Sequence, residues 1–307
     1  MQQFIDTILS EHGLRPARNI SRPANGRNNP IYIIDDTFVV RFDGLTDSTG
    51  PEYSTRFQAE QWVCDRLESA GLPVPRILVV DNSTRIAPPY MLMSKLPGQS
   101  VINSEDLTQA QRLDIAFELG QFLARMHNVT RFDHFGKWHQ LNDGTYQTRF
   151  SQWPIGFFTQ YATWSEQLGG AVDAGIIRDL RQLIVGTQPY FDAVTHGVIA
   201  HRDCHFENVI QYDGKLTGVL DFEWWMSADP ATDFAVEHQW DFVGAGCRDA
   251  VYAGYTTLRE LSWGHREKVR VYRLLRDFDD VVTLFAQGEV KKSQLAQAKV
   301  RAGLDHA

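Results

Sequence analysis

The hydrophobic pattern of residues 31–42 is that of two short β-strands joined by a turn. The stretch reads IYIIDDTFVVRF, and Asp35 with Asp36 separates its two β-rich runs. Polar turn residues between two such runs predict a β-hairpin. The second run has the two-residue period of a strand, which places Arg41 on the face opposite Val40.

A helical pattern follows from about residue 54 to residue 70 and ends at a glycine. Its three- and four-residue spacing aligns Glu60 with Phe57 and Leu67 on one apolar stripe. An unpaired buried carboxylate destabilises a fold, so this position requires a cation, and Arg41 is the nearest candidate in the sequence. The alternative is that Glu60 lies at the edge of the stripe and extends to solvent.

Strand patterns dominate the first third of the chain, and helical patterns dominate the rest. A further apolar strand ends at Pro97-Gly98, and an amphipathic helix is predicted from an N-cap at Ser104 to about Asn128. Residues 248–303 predict two or three more helices. The expected fold is α+β and two-lobed, with a small β-rich N-terminal lobe, a hinge and a larger, mostly helical C-terminal lobe, over residues 1–93, 94–98 and 99–307.

Composition indicates a globular enzyme rather than a nucleic-acid or membrane protein. The 307 residues are 43% hydrophobic and 22% charged, with a formal net charge of -8. A general nucleic-acid binder needs a basic face, so no nucleic-acid partner is expected, and a cationic small molecule is the better partner. The chain shows neither a basic-flanked apolar leader nor an apolar run of about 18 residues, which predicts a cytoplasmic protein without a membrane contact.

Residues 216–247 carry six acidic side chains and neither lysine nor arginine. Such a stretch either holds cations or forms a solvated acidic surface. The three cysteines, Cys64, Cys204 and Cys247, are odd in number and scattered, which predicts reduced thiols rather than disulfides or a zinc site.

The segment HRDCHFENVI, residues 201–210, combines acidic, amide and imidazole side chains. It leads into a strong hairpin signal, NVIQYDGKLTGVLD, in which an Asp-Gly pair separates two β-rich runs. Antiparallel pairing about that turn sets Asn208 opposite Val219 and leaves Asp221 just beyond, with Asp203 shortly before. Hard oxygen donors of this kind suit Mg²⁺ that is held together with substrate phosphates.

The spacing from His201-Arg202-Asp203 to Asn208 is also that of the catalytic loop of protein kinases. A competing interpretation is a metallohydrolase with His201, Asp203 and His205 as ligands of zinc or iron. That site would lack a second group of histidine donors and would leave Asn208 without a role.

Two later motifs, DFE at 221–223 and DP at 229–230, follow the catalytic-loop pattern at 201–208. The chain resembles the aminoglycoside phosphotransferase and choline kinase-like family, which has a protein-kinase-like fold, over residues 20 to about 240. Two stretches, FDHFGKW and RDFDDVV, are similar to hygromycin-type phosphotransferases. Glutamate stands at position 223, where protein kinases carry the glycine of DFG.

The resemblance implies a nucleotide site in the N-terminal lobe. Residues 25–29 would cover the nucleotide, and Arg41 occupies the place of the phosphate-binding strand lysine, with Glu60 as its helix partner. A guanidinium can bind phosphate oxygens bidentately but is larger than an ammonium group. Met93 would lie behind the base, and the backbone of Ser94 and Leu96 would hydrogen-bond to it. The implied nucleotide-binding residues are Gly26, Asn28, Arg41, Glu60, Met93, Ser94 and Leu96.

The resemblance also implies the chemistry. Asp203 would accept or orient the proton of the acceptor hydroxyl, while Asn208 and Asp221 would hold Mg²⁺ on the phosphates of ATP or GTP. The residues expected to support this loop are His201, His205 and Asp233. Acidic and aromatic side chains suit a polyamine or aminocyclitol acceptor, and the candidate contacts are Glu223, Trp224, Glu237 and Asp241.

The predicted function is the transfer of a γ-phosphate from ATP to a hydroxyl of a small, cationic molecule. An aminoglycoside-type antibiotic is favoured, which implies antibiotic resistance. A metabolite kinase of the choline or ethanolamine type stays open as an alternative, and so does a nucleotide-binding module without catalysis. The oligomeric state stays open as well.

Overall fold

The computed structural model describes residues 2–23, 29–44 and 50–305. Its strands are β1 (Ile20–Ser21), β2 (Ile31–Ile34), β3 (Phe38–Phe42), β4 (Ile77–Asp81), β5 (Tyr90–Ser94), β6 (Gln99–Ser100), β7 (Gly136–Lys137), β8 (Val198–Ala200), β9 (Val209–Tyr212), β10 (Lys215–Val219) and β11 (Met226–Ala228). Its α-helices are α1 (Gln2–Glu11), α2 (Pro51–Ser54), α3 (Arg56–Ser69), α4 (Gln109–Val129), α5 (Trp138–Asp143), α6 (Gln152–Gln167), α7 (Ala174–Asp192), α8 (Cys247–Thr256), α9 (His265–Ala286) and α10 (Val290–Asp305). Two 3-10 segments are Val101–Asn103 and Pro230–Val243.

The chain divides into two compact units, each built from three segments. The first unit consists of Met1–Val129, Asp203–Trp225 and Trp240–Leu258. The second unit consists of Thr130–Arg202, Met226–Gln239 and Arg259–Ala307. The lobe boundaries expected at residues 93 and 98 stay a prediction.

The first unit contains a five-stranded antiparallel sheet in the order β1-β2-β3-β5-β4. The hairpin predicted for residues 31–42 is present as β2 and β3, with Ile34 opposite Phe38. Asp35 and Asp36 turn the chain with left-handed φ angles of 50° and 54°. Aspartate tolerates this conformation better than most residues, so the turn chemistry visible in the sequence determined the hairpin.

The two faces of β3 have different surroundings. On one face Val40 and Phe42 pack against Ile5 and Ile8 of α1 in a buried apolar cluster. Burying each such side chain contributes roughly 1.5–3 kcal/mol, so this face is committed to the core. Alternation along the strand then directs Arg41 to the other face.

Helix α3 confirms the helix predicted after residue 54, whereas the start predicted for the next helix is wrong. Helix α4 begins at Gln109, and Oγ1 of Thr108 accepts the backbone N–H of Gln111 at 3.3 Å. Ser104 does not cap this helix. Its hydroxyl accepts from Nε2 of Gln211 at 2.7 Å, and this tertiary contact outweighs its local capping preference.

The second unit combines a three-stranded antiparallel sheet, in the order β7-β11-β8, with long helices. Helix α9 packs on α6, α7 and α10, and many of its side chains are buried. Together with α8 of the first unit, α9 and α10 are the helices expected after residue 248. None of the helices within the described ranges is both long enough and apolar enough to cross a membrane.

Candidate active site

A buried cluster of charged side chains lies in the first unit, on the face of β3 that does not meet α1. Arg41 donates through Nη2 to the carboxylate of Glu60 on α3. Its Nη1 lies 3.3 Å from Oδ1 of Asp221, and its Nη2 lies 3.5 Å from Oε2 of Glu223. Arg41 is therefore paired with Glu60, and the solvent-exposed alternative for Glu60 does not occur.

Burial and mutual charge control protonation in this cluster. Burial on its own lowers the pKa of Arg41, but the carboxylates of Glu60, Glu223 and Asp221 outweigh burial and raise that pKa. Burial raises the pKa of Glu60 to about 7, against the opposing effect of Arg41. Burial also raises the pKa of Glu223. A further cation beside these carboxylates would favour their ionised forms.

A second buried arginine, which was not predicted, joins the cluster. Arg56, on the first turn of α3, donates through Nη2 to Oδ1 of Asn29 at 2.8 Å and pairs with Asp43. Its Nη1 lies 3.5 Å from Oε2 of Glu223. The four-residue spacing from Glu60 is the signal that could have revealed Arg56, because residues i and i+4 share one face of a helix.

The predicted Asp-Gly hairpin forms as β9 and β10, with one change of register. A β-bulge between Leu216 and Gly218 inserts an extra residue into β10. The predicted pairing of Asn208 with Val219 is therefore wrong by one position. The backbone N–H of Leu220 instead donates to the carbonyl of Asn208 at 2.8 Å.

Asp221 follows that hydrogen bond directly and is the most exposed carboxylate of the cluster within the described residues. Its φ angle of 67° is left-handed, which is uncommon for a residue other than glycine. Its side chain is 36% exposed, whereas the side chains of Arg41, Glu60 and Glu223 are at most 5% exposed. A ligand that approaches this cluster therefore meets Asp221 first.

The loop before the hairpin joins Asp203, His205 and Asn208. Nδ2 of Asn208 donates to the backbone carbonyl of Asp203 at 2.9 Å, and this bond does not use the side-chain oxygen of Asn208. Oδ2 of Asp203 lies 3.3 Å from Nε2 of His205. The backbone N–H of Glu207 donates to Nδ1 of His205 at 3.3 Å, so Nδ1 is an acceptor and Nε2 is the ring nitrogen that faces Asp203.

The backbone just before Asp203 is held within the second unit. The carboxylate of Asp233 accepts the backbone N–H of His201 at 3.1 Å and that of Arg202. Arg202 has a left-handed φ angle of 72°, and its carbonyl accepts from Nη1 of Arg276 at 2.6 Å. Both His201 and Asp233 are fully buried, which is the geometry that a supporting role requires.

Strand β5 and the segment after it carry the residues predicted to bind the base. Met93 is buried in β5, between β3 and β4. The N–H of Ser94 donates to the carbonyl of Arg76 at 2.9 Å, which leaves only the Ser94 carbonyl for a base. No backbone carbonyl in the described ranges accepts the N–H of Leu96. Two other predicted nucleotide-binding residues lie outside the described residues: Gly26 and Asn28.

The residues predicted to bind the acceptor differ in their surroundings. Glu223 is buried against the two arginines, so its ion pairs argue against the acceptor contact predicted for it. Oδ1 of Asp241 accepts the backbone N–H of Arg248 at 3.0 Å. Trp224 in the first unit and Glu237 in the second are partly exposed. Their role in acceptor binding stays a prediction.

The strand arginine, the helix glutamate and the aspartate after the hairpin thus lie in contact with one another in the first unit. A family model described as the phosphotransferase enzyme family matches residues 19–272. The chain therefore belongs to this family. A search of curated protein sequences gave no match.

Solved structures of similar fold include aminoglycoside phosphotransferases. The GDP and kanamycin complex of APH(2")-IIia aligns with a TM-score of 0.73 and 13% identity, covering 100% of this chain and 99% of that chain. The apo form of a thermostable mutant of APH(4)-Ia gives 0.71 and 16%, with the same coverage. The streptomycin-ATP-APH(2")-IIa ternary complex gives 0.68 and 13%, covering 97% of each chain. These alignments confirm the predicted α+β, protein-kinase-like fold.

Proposed function

We propose that the protein transfers the γ-phosphate of ATP or GTP to a hydroxyl of a small, cationic molecule. The observation that carries this proposal is the contact of Arg41 with both Glu60 and Asp221 inside one compact unit. It joins β3, α3 and the segment after the hairpin, which are the elements from which kinases bind nucleotide phosphates. Membership of the phosphotransferase family supports the reaction class.

The oxygen donors of Asp221 and Asn208 fit Mg²⁺. Asp221 offers a partly exposed carboxylate, and Asn208 keeps its side-chain oxygen outside the bond to Asp203. Magnesium prefers such hard ligands and commonly binds through one or two carboxylates together with substrate phosphates. When bound, the ion supplies charge neutralisation on the phosphates.

Asp203 is the residue that we assign to the acceptor hydroxyl. His205 lies against its carboxylate, and Asp233 fixes the backbone before it, so its orientation is restrained from both sides. Arg41 provides a fixed positive charge, and its Nε has no hydrogen-bond partner among the described residues. Phosphoryl transfer requires mainly positioning and charge stabilisation from a protein, and these residues supply both.

An aminoglycoside-type antibiotic is the acceptor that we favour. Similar structures were solved with kanamycin and with streptomycin, as their names state. The partly exposed Trp224 provides a stacking surface of the kind a polyamine sugar requires. An amino alcohol of the choline or ethanolamine type is the second candidate for the acceptor. We also propose the cytoplasmic location that the sequence predicts.

The test is an assay of ADP or GDP release with Mg²⁺ and either nucleotide, over a panel of aminoglycosides and amino alcohols. We expect turnover with at least one aminoglycoside. Turnover with amino alcohols alone would move the acceptor to the second candidate. Nucleotide binding without any turnover would indicate a binding module.

Asp221→Ala should abolish Mg²⁺-dependent nucleotide binding, because it removes the exposed carboxylate ligand. Titration of ATP with and without the ion measures this loss. A variant that binds nucleotide in the presence of Mg²⁺ as the wild type does would contradict the role assigned to Asp221.

A further inference from the structure

A single carboxylate oxygen lies at the centre of the buried cluster. Oε2 of Glu223 is 3.3 Å from Nδ2 of Asn29, 3.5 Å from Nη2 of Arg41 and 3.5 Å from Nη1 of Arg56. The first contact is a hydrogen bond and the other two are ion pairs, and the three partners come from the segment before β2, from β3 and from α3. Glu223 therefore ties three parts of the first unit to the segment that carries Asp221.

The two guanidinium groups approach the same aromatic ring and the same carboxylate oxygen. The Cζ atom of Arg41 is 5.0 Å and that of Arg56 is 5.1 Å from the centroid of Phe57. Two buried positive charges that each lie 3.5 Å from one carboxylate oxygen repel each other, and the shared carboxylate offsets the repulsion. The charge of Glu223 thus determines where both guanidinium groups can rest.

Stability alone does not account for this arrangement. Nε of Arg41, and both Nε and Nη1 of Arg56, are buried without a hydrogen-bond partner among the described residues. Unsatisfied buried donors destabilise a fold, and packed apolar side chains often replace a buried ionic triad without loss of stability. A costly cluster beside a ligand site indicates a role in function.

We propose that Arg56 and Glu223 are positioning residues, which hold Arg41 and Asp221 in place for the nucleotide phosphates and their metal ion. Neither touches nucleotide or acceptor; both act through the 3.3 Å contact between Arg41 and Asp221. Residues behind a metal ligand typically alter metal affinity or activity by about 10–100-fold. This inference rests on the proposed function and gives Glu223 a role other than the acceptor contact predicted for it.

Glu223→Gln tests the bridge, because it keeps the shape of the side chain and removes its charge. The measurement is the Mg²⁺ concentration that half-saturates binding of ATP and of GTP, together with kcat and KM for the nucleotide. We expect the Mg²⁺ requirement to rise about 10-fold or more, while nucleotide binding in EDTA changes little.

Arg56→Gln should produce the same shift, and the double variant should be no worse than either single variant, since both residues act through one bridge. Arg66→Gln is the matched control, because this arginine lies on the exposed face of α3 and should leave the Mg²⁺ requirement unchanged. Shifts that simply add in the double variant would overturn the shared bridge.

Replacing both charges at once distinguishes the positioning role from a purely structural role. This variant carries Arg56→Met together with Glu223→Met. We expect this variant to unfold near the wild-type temperature and still to need more Mg²⁺, and it also serves if Glu223→Gln does not fold. A folded variant with the wild-type Mg²⁺ requirement would overturn the inference alone. If the wild type binds neither ATP nor GTP with Mg²⁺, the proposed function fails, and the inference falls with it.

Discussion

Two buried ionic clusters, one in each compact unit, differ in how completely their polar atoms are paired. In the second unit, Oδ2 of Asp229 lies 2.7 Å from the hydroxyl of Tyr272 and 2.9 Å from Nζ of Lys268, which also donates to Ser262 at 2.8 Å. One carboxylate there faces one ammonium group. In the first unit, two arginines whose buried N–H groups lack hydrogen-bond partners among the described residues face four carboxyl groups: Asp43, Glu60, Asp221 and Glu223.

The difference indicates that buried charges have two different roles in this protein. The balanced cluster joins α9 to the end of β11, and its satisfied hydrogen bonds suit a role in stability. The unbalanced cluster keeps spare negative charge and spare donors beside an exposed aspartate, which suits a role in ligand binding. The fully buried Asp229 and Asp233 also show that the acidic stretch of residues 216–247 is not simply a solvated surface.

The largest effect should come from breaking the balanced cluster. Asp229→Ala leaves the buried ammonium group of Lys268 without its counter-ion, and we expect a loss of about 3–5 kcal/mol in the free energy of unfolding. Denaturant titration measures it. Tyr272→Phe removes one hydrogen bond only and should cost about 1 kcal/mol. An Asp229→Ala protein as stable as the wild type would remove the distinction between the clusters.

Asp203→Asn should have a smaller effect, and this effect should appear in catalysis only. This change removes the proton-accepting group that we assign to the acceptor hydroxyl, and turnover should fall by about 10²-fold or more. Nucleotide binding and unfolding should stay as in the wild type, which equilibrium titrations check. Turnover at the wild-type rate would refute the assigned role.

Arg41→Lys tests the role of the guanidinium group in the unbalanced cluster. Lysine keeps the positive charge but not the planar fork that reaches Glu60, Asp221 and Glu223, so we expect partial activity. Arg41→Ala should be inactive, because it removes the charge altogether. The kcat/KM for the nucleotide ranks the two variants, and equal activity in both would exclude Arg41 as a phosphate ligand.

The last prediction concerns pH and lies in the second unit. Burial lowers the pKa of His238 to about 4, from an ordinary value of 6.5. Protonation of His238 therefore favours the unfolded chain. The stabilising contribution of the neutral His238 is complete above pH 6.5 and is lost as the pH falls from 6.5 towards 4. His238→Asn should lose less stability than the wild type between neutral and mildly acidic pH, as unfolding midpoints would show. An identical pH dependence in both proteins would contradict the lowered pKa.

Local turn chemistry made much of the fold predictable. Asp35-Asp36 and the Asp-Gly pair impose left-handed turns within a few residues, so both hairpins were visible in the sequence. The errors arose where distant groups intervened. Ser104 binds Gln211 instead of capping a helix, and a bulge in β10 moved Asn208 by one position.

The sequence by itself determined which chemical groups stand near the predicted catalytic loop, because the spacing of Asp203, Asn208 and Asp221 around a tight hairpin is a local property. Only the tertiary structure decided that Glu223 turns inward to two arginines. Asn29 and Glu223 are 194 residues apart, and their contact depends on the packing of the chain between them. Short-range spacing is encoded by turn geometry, whereas the pairing of remote buried charges is selected by the free energy of the whole fold.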